Sequence, residues 1–150
     1  MQPLRHIADS SAANTARAVT RSPSVIPNYD CRRVHILVVE DDIELRGVYR
    51  TALRVAGYFV QEAGDGFEAL RAVDADPPDL VVLDLALPRI SGHVVRQELA
   101  AQSHTRDIPI VVVTGTMDAH DDLDVNCLLR KPVSPDDLVV TVQKCLAADV

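Results

Sequence analysis

Val34-His35-Ile36-Leu37-Val38-Val39-Glu40-Asp41-Asp42 is a short, mainly β-branched apolar run that stops at three consecutive acids. A strand without polar alternation is buried on both faces, and such strands belong to parallel sheets covered by helices. The pattern returns at Asp79-Leu80-Val81-Val82-Leu83, which runs into Asp84, and at Ile108 to Val113, which stops at Thr114. Tyr58 to Glu62 reads as a second strand, and Cys127 to Arg130 as a short fifth one before Lys131-Pro132.

Helical spacing fills the gaps. From Ile43 to Ala56 the apolar stripe is Ile43, Val48, Ala52, Leu53 and Ala56, with Gly57 as the stop. Gly66 to Ala75 carries Phe67, Leu70 and Val73 on one face and ends before Pro77-Pro78. A third helix is expected around His93 to Ala101, after the loop from Leu85 to Ser91. The last begins with Ser134 as N-cap, Pro135 at its first position and Asp136-Asp137 in its first turn, with a stripe of Val139, Val142, Cys145 and Leu146. Alternating strands and helices imply right-handed crossovers and an α/β fold. The expectation is a flavodoxin-like, five-stranded parallel sheet in the order 2-1-3-4-5 with helices on both faces. Such folds bind ligands at the carboxyl ends of their strands.

A chain of 150 residues with 47% hydrophobic and 25% charged content suits one globular domain; with 3% aromatics and no Trp, aliphatic side chains must fill its core. Residues 1–33 mix Ser, Ala, Thr, Arg and Pro without sustained periodicity and read as a disordered or extended tail, leaving 34–150 as the folded domain. Five arginines against Asp9 and Asp30 give the tail a balance of +3, so the domain carries −10 of the total −7. That acidity argues against a phosphate backbone as ligand, and no DNA binding is expected. It suits a cation or a basic protein surface. Cys31, Cys127 and Cys145 lack metal-ligand spacing and fit plain thiols in a reducing cytoplasm. No apolar run approaches the ~20 residues that span a bilayer, so a cytoplasmic protein without membrane contact is expected.

The strand ends carry the chemistry. Glu40-Asp41-Asp42, Asp84, Thr114 and Lys131 each follow a different strand, which brings carboxylates, a hydroxyl and an ammonium to one rim. Clustered carboxylates repel one another and need a cation, and hard oxygens suit Mg²⁺. A carboxylate beside such an ion can act as nucleophile and form an aspartyl phosphate. Lysine and threonine would supply partners for the remaining phosphoryl oxygens.

From about Val34 to Ala147 the sequence resembles the receiver (CheY-like) domain family. The resemblance rests on Glu40-Asp41-Asp42 after strand one, Asp84 with Pro88 and Gly92 after strand three, Thr114-Gly115 after strand four and Lys131-Pro132 after strand five. It implies that Asp84 is the phosphoacceptor, with Asp41, Asp84 and the Ala86 carbonyl as direct Mg²⁺ ligands and Glu40 acting through water. It also implies that Thr114 and Lys131 serve the phosphoryl group, that Gly115 leaves it access, and that the Lys131-Pro132 bond is cis, as in many relatives. A histidine kinase or histidine phosphotransfer protein would be the donor, an unknown protein the downstream target, and the chain a monomer or weak dimer. Asp42 reads better as a helix-start acid than as a ligand, and His93 and His104 as surface residues.

Two departures stand out. Thr114 and Lys131 are 17 residues apart. That leaves a short or irregular fourth helix over Gly115 to Val125. Leu128 stands where many relatives carry Tyr or Phe, so an aromatic reporter of the switch is missing. With the chain ending at Val150, a stand-alone single-domain response regulator is expected, not an enzyme in the ordinary sense. The alternative is a non-phosphorylated pseudo-receiver that serves as a protein-binding module. A small aspartyl-phosphate phosphatase is a third reading, weakened because Ala86 stands where such enzymes place a second acid.

Overall fold

In the computed structural model, which describes residues 32–115 and 127–148, the apolar runs form β1 (His35–Val39), β2 (Phe59–Ala63), β3 (Leu80–Asp84), β4 (Ile110–Thr114) and β5 (Cys127–Arg130). Neighbouring strands are parallel, in the order β2-β1-β3-β4-β5. Among the described residues four helices surround them: α1 (Ile43–Val55), α2 (Gly66–Ala75), α3 (Gly92–Ala101) and α4 (Pro135–Ala148). This is the expected flavodoxin-like fold. The expected tail up to residue 31, and all of the expected short helix but Gly115, lie outside the described residues.

Strand side chains alternate between two cores, as a period of two requires. Ile36, Val38, Leu80, Val82, Val111 and Val113 pack on one face against Tyr49 and Leu53 of α1 and Leu138, Val142 and Cys145 of α4. Leu37, Val39, Val81 and Leu83 pack on the other against Ala69 and Val73 of α2 and Val95 and Leu99 of α3. Each fully buried Val or Leu contributes roughly 1.5–3 kcal/mol. Helix starts are capped: Asp42 accepts from Glu44 N and Leu45 N, Asp65 from Glu68 N, Ser91 from Val94 N and Ser134 from Asp137 N. Such caps are worth ~1 kcal/mol each.

Two apolar stripes differ from the sequence reading. On α1, Ile43 and Val48 are exposed; Leu53 enters the core as expected, and its partner one turn earlier is Tyr49. On α2, Phe67 is exposed, while Gly66, Ala69 and Val73 face inward. The loop after β3 and the start of α3 come so close that a Cβ at position 66 would overlap the Ile90 and Val95 side chains. No side chain fits at position 66, and the neighbouring phenyl ring turns out. β4 begins at Ile110, two residues later than expected, because Pro109 has no N–H to donate; its carbonyl still accepts from Val81 N at 3.0 Å.

The strand order places the site. After β1 the chain steps outward to β2, then crosses back to β3 on the other side of β1. The crevice opened by that reversal lies beyond the carboxyl ends of β1 and β3. β4 and β5 follow β3 in sequence across the sheet, so the four acid-, hydroxyl- and amine-bearing tips are contiguous.

Candidate functional site

Glu40 and Asp84 continue the rows of Ile36-Val38 and Leu80-Val82, so both carboxylates fall on the α1/α4 side of the sheet. Both are buried, at 1% and 2% exposure. Lys131, just past β5, donates from Nζ to Glu40 Oε2 at 3.0 Å and to Asp84 Oδ2 at 3.2 Å. Asp84 Oδ1 accepts the Ala86 N–H at 3.0 Å. Asp41 is exposed, yet carboxylate oxygens of Glu40, Asp41 and Asp84 all lie within 4.8 Å of one another. Thr114 is buried at the end of β4, and its carbonyl accepts the Lys131 N–H at 2.9 Å. The sequence-predicted residues Glu40, Asp41, Asp84, Thr114 and Lys131 thus share one rim, with Ala86 tied to it through its N–H.

The rim is rich in negative charge. Burial is the largest influence on the Glu40 carboxyl, which is pushed up to about 7; the hydrogen bond from Lys131 opposes the rise and the charge of Asp84 adds to it. For Lys131, burial presses the pKa down, but its hydrogen bond to Glu40 and the charges of Asp84 and Glu40 outweigh this and the net direction is upward. One ammonium therefore serves two buried carboxylates, with a third acid alongside. A hard, oxygen-loving divalent cation fits this donor set, since carboxylates are its preferred protein ligands.

Neighbouring residues hold the rim in place. Asp42 spends its Oδ1 on the cap of α1, at 3.0 Å from Glu44 N and 3.2 Å from Leu45 N. Gly92 opens α3 where an added Cβ would overlap the Asp84 carbonyl oxygen and the Leu85 Cα. An added Cβ at Gly115 would stand 4.0 Å from Lys131 Cβ and Cδ, in ordinary contact. The Lys131–Pro132 bond is cis. His93 is exposed, and His104 lies 3.9 Å from Asp74 at the surface. Sequence reasoning passed over Arg46, which donates to the Glu40 carbonyl at 2.8 Å, and Tyr49, whose buried hydroxyl finds no hydrogen-bond partner among the described residues. Burial raises the Tyr49 pKa, and the charges of Lys131, Glu40 and Asp84 reach it. Spacing along α1 carries no signal for either contact, because both depend on what β1 and β2 bring opposite.

A doubly wound parallel sheet with an acidic cluster and a lysine at its carboxyl edge defines a receiver-type scaffold. Residues 36–143 match the response regulator receiver domain model, and the chain belongs to that family. It is 37% identical over 116 residues to the "Probable transcriptional regulator ycf27" of Porphyridium aerugineum, covering 74% of this chain and 47% of that protein. It is 32% identical to the "DNA-binding dual master transcriptional regulator RpaA" of Synechocystis sp., covering 74% of this chain and 48% of that protein. Among solved structures, the chemotaxis response regulator CheY4 of Vibrio cholerae superimposes with a TM-score of 0.70 at 27% identity, covering 75% of this chain and 98% of that one.

The chain spans about half the length of the curated relatives it matches. Their names correct the expectation that no DNA binding attends this chain: the relatives are transcriptional regulators, one of them DNA-binding. Net acidity bears on a domain's own attraction to phosphates and is silent on the role of a regulator in transcription. Among the described residues no helix is long and apolar enough to cross a membrane.

Proposed function

We propose that this receiver domain of a two-component response regulator accepts a phosphoryl group on Asp84 from a phosphohistidine of a histidine kinase or phosphotransfer protein, assisted by Mg²⁺. The observation that carries the reading is the sharing of Lys131 by Glu40 and Asp84, two buried carboxylates from separate strands, with Asp41 beside them. In this reading Asp41, Asp84 and the Ala86 carbonyl hold the ion directly and Glu40 acts through water. The ion would supply charge neutralisation, so that an anionic phosphodonor can approach an anionic nucleophile.

An Asp84 carboxylate oxygen attacks phosphorus, the phosphorus–nitrogen bond to the donor imidazole breaks, and the imidazole nitrogen leaves with the bonding pair and takes a proton. Asp84 is then an acyl phosphate. The Lys131 ammonium, already 3.2 Å from Asp84 Oδ2, and the Thr114 hydroxyl would each take one phosphoryl oxygen. Positioning and charge stabilisation are the protein's main work in such a transfer. The domain assists its own modification and does not turn over an external substrate. A cytoplasmic setting, where kinase and Mg²⁺ are both at hand, goes with this reading.

Incubation with Mg²⁺ and a small-molecule phosphodonor is expected to add 80 Da, one phosphoryl group (~80 Da by the chemistry of transfer to a single carboxylate), read by intact-protein mass spectrometry. Asp84→Asn is expected to lose that adduct altogether. A wild-type chain that stays unmodified would sink the proposal and leave the protein-binding module in its place.

A further inference from the structure

We propose that Arg46 is a positioning residue for the acidic pair, acting on Mg²⁺ binding and phosphoryl transfer through the main chain of Glu40, and that Gly64 leaves room for it. The proposal rests on the Mg²⁺-assisted reading of the rim.

Arg46 sits on α1, one turn after the Asp42 cap, with its side chain 19% exposed. Its Nη1 donates to the Glu40 carbonyl at 2.8 Å and its Nε to Glu62 Oε1 at 3.3 Å. Glu62 is held in turn by Arg50 Nη1, at 3.2 Å from Oε1 and 3.0 Å from Oε2. On its other side the Glu40 N–H donates to the Ala63 carbonyl at 3.1 Å. Both main-chain groups of Glu40 are therefore fixed, one by the end of β2 and one by α1. A buried carboxylate whose root is clamped in this way reaches the rim in one orientation, which is what a preorganised site requires.

Gly64 supplies independent support. An added Cβ there would stand 2.9 Å from Arg46 Nη1 and 3.8 Å from its Cζ. Among the described glycines Gly57 has the positive φ, so backbone freedom does not explain the glycine at position 64. A Cβ there would press on the outer end of the guanidinium, which could make room only by shifting, and would lie 3.5 Å from Glu68 Oε2.

The sign of the effect separates this role from simple electrostatics. Removing a cation beside an acidic site would, by Coulomb attraction alone, strengthen Mg²⁺ binding. Loss of a positioning contact weakens it. Titration of the full chain with Mg²⁺ alone, beside a thermal melt of the metal-free protein, reads both. Arg46→Met is expected to weaken Mg²⁺ binding about tenfold, the effect of one charge-assisted hydrogen bond. Arg46→Lys, which can still donate to the carbonyl, recovers to within about threefold of wild type. Gly64→Ala keeps the guanidinium but displaces it and weakens binding about threefold. Glu62→Gln leaves the carbonyl contact and stays within about twofold.

Tighter or unchanged Mg²⁺ binding in both Arg46→Met and Gly64→Ala overturns the proposal, as does a lowered melting temperature with unchanged affinity. Equal weakening by Glu62→Gln also overturns it, since the ion pair would then be the active element. If Arg46→Met does not fold, Arg46→Lys and Gly64→Ala decide the matter. A wild-type chain that binds no Mg²⁺ fails the parent reading and this one together. Wild-type binding with indifferent variants fails this one alone.

Discussion

The two ends of the sheet both bury polar groups, yet they settle them differently. At the amino end His35 is 5% exposed, and its Nε2 lies 3.0 Å from Gln61 Oε1. Its N–H donates to Asp79 Oδ2 at 2.7 Å while its carbonyl accepts the Asp79 N–H at 2.7 Å. The ring rests on Phe59 with centroids 5.1 Å apart. Donors and acceptors there are matched in pairs. At the carboxyl end Glu40 and Asp84 share the ammonium of Lys131, and Asp41 adds a third carboxylate close to theirs. A matched set costs little and holds structure together, whereas an unbalanced one is tolerated where a further partner is expected to arrive. The contrast marks the carboxyl end as the candidate site more sharply than burial alone does.

Removing the Lys131 ammonium gives the largest test of that contrast. Lys131→Met is expected to cost the metal-free protein about 3 kcal/mol, because two buried carboxylates lose their shared partner. Urea melts would show the loss, and added Mg²⁺ should recover much of it. A melt unchanged by Lys131→Met would mean that the carboxyl end is as balanced as the other.

Glu40 predicts a pH slope. Its carboxyl is about 7 in the folded chain against an ordinary 4.5, so between those values the folded state binds more protons than the unfolded one. Stability of the metal-free protein therefore falls as pH rises through this window, by on the order of 2–3 kcal/mol. Glu40→Gln should flatten the slope, leaving the variant the more stable of the two above pH 7 (about the raised value). Melts of both chains at several pH values, with chelator present, check the sign.

The smallest effect belongs to the amino end. Asp79→Asn exchanges a charged acceptor of the His35 N–H for a neutral one and should cost about 1 kcal/mol. Mg²⁺ affinity should stay within about twofold, since no rim residue is touched. A larger change in affinity would show that the two ends are coupled through the strands.

Much of this was legible in one dimension. The apolar runs of β1, β3 and β4 name themselves by composition, and the residue after each run names the rim. Asp84 and Lys131 are 47 residues apart in the chain, yet topology alone predicts their meeting. What sequence could not supply was facing. Val48 and Ala52 satisfy a helical period as well as Tyr49 and Leu53 do, and only the sheet beneath decides between them. The Arg46 contact needs α1 packed beside the end of β1 and a residue without a Cβ at position 64, neither of which spacing records. Strand ends slipped by a residue or two for a local reason in the case of Pro109, whose missing N–H delays the ladder.

Glu40 and Asp84 inherit their side of the sheet from the even-numbered rows beneath them, Ile36-Val38 and Leu80-Val82. The chemistry is thus addressed by parity. Inserting or deleting one residue within β1 would swing the Glu40 carboxylate to the opposite layer, away from Lys131, however well the apolar composition were kept. A two-residue insertion would restore the layer but lift the carboxylate about 6.6 Å along the strand. Substitutions in these strands can be gentle; changes of length cannot.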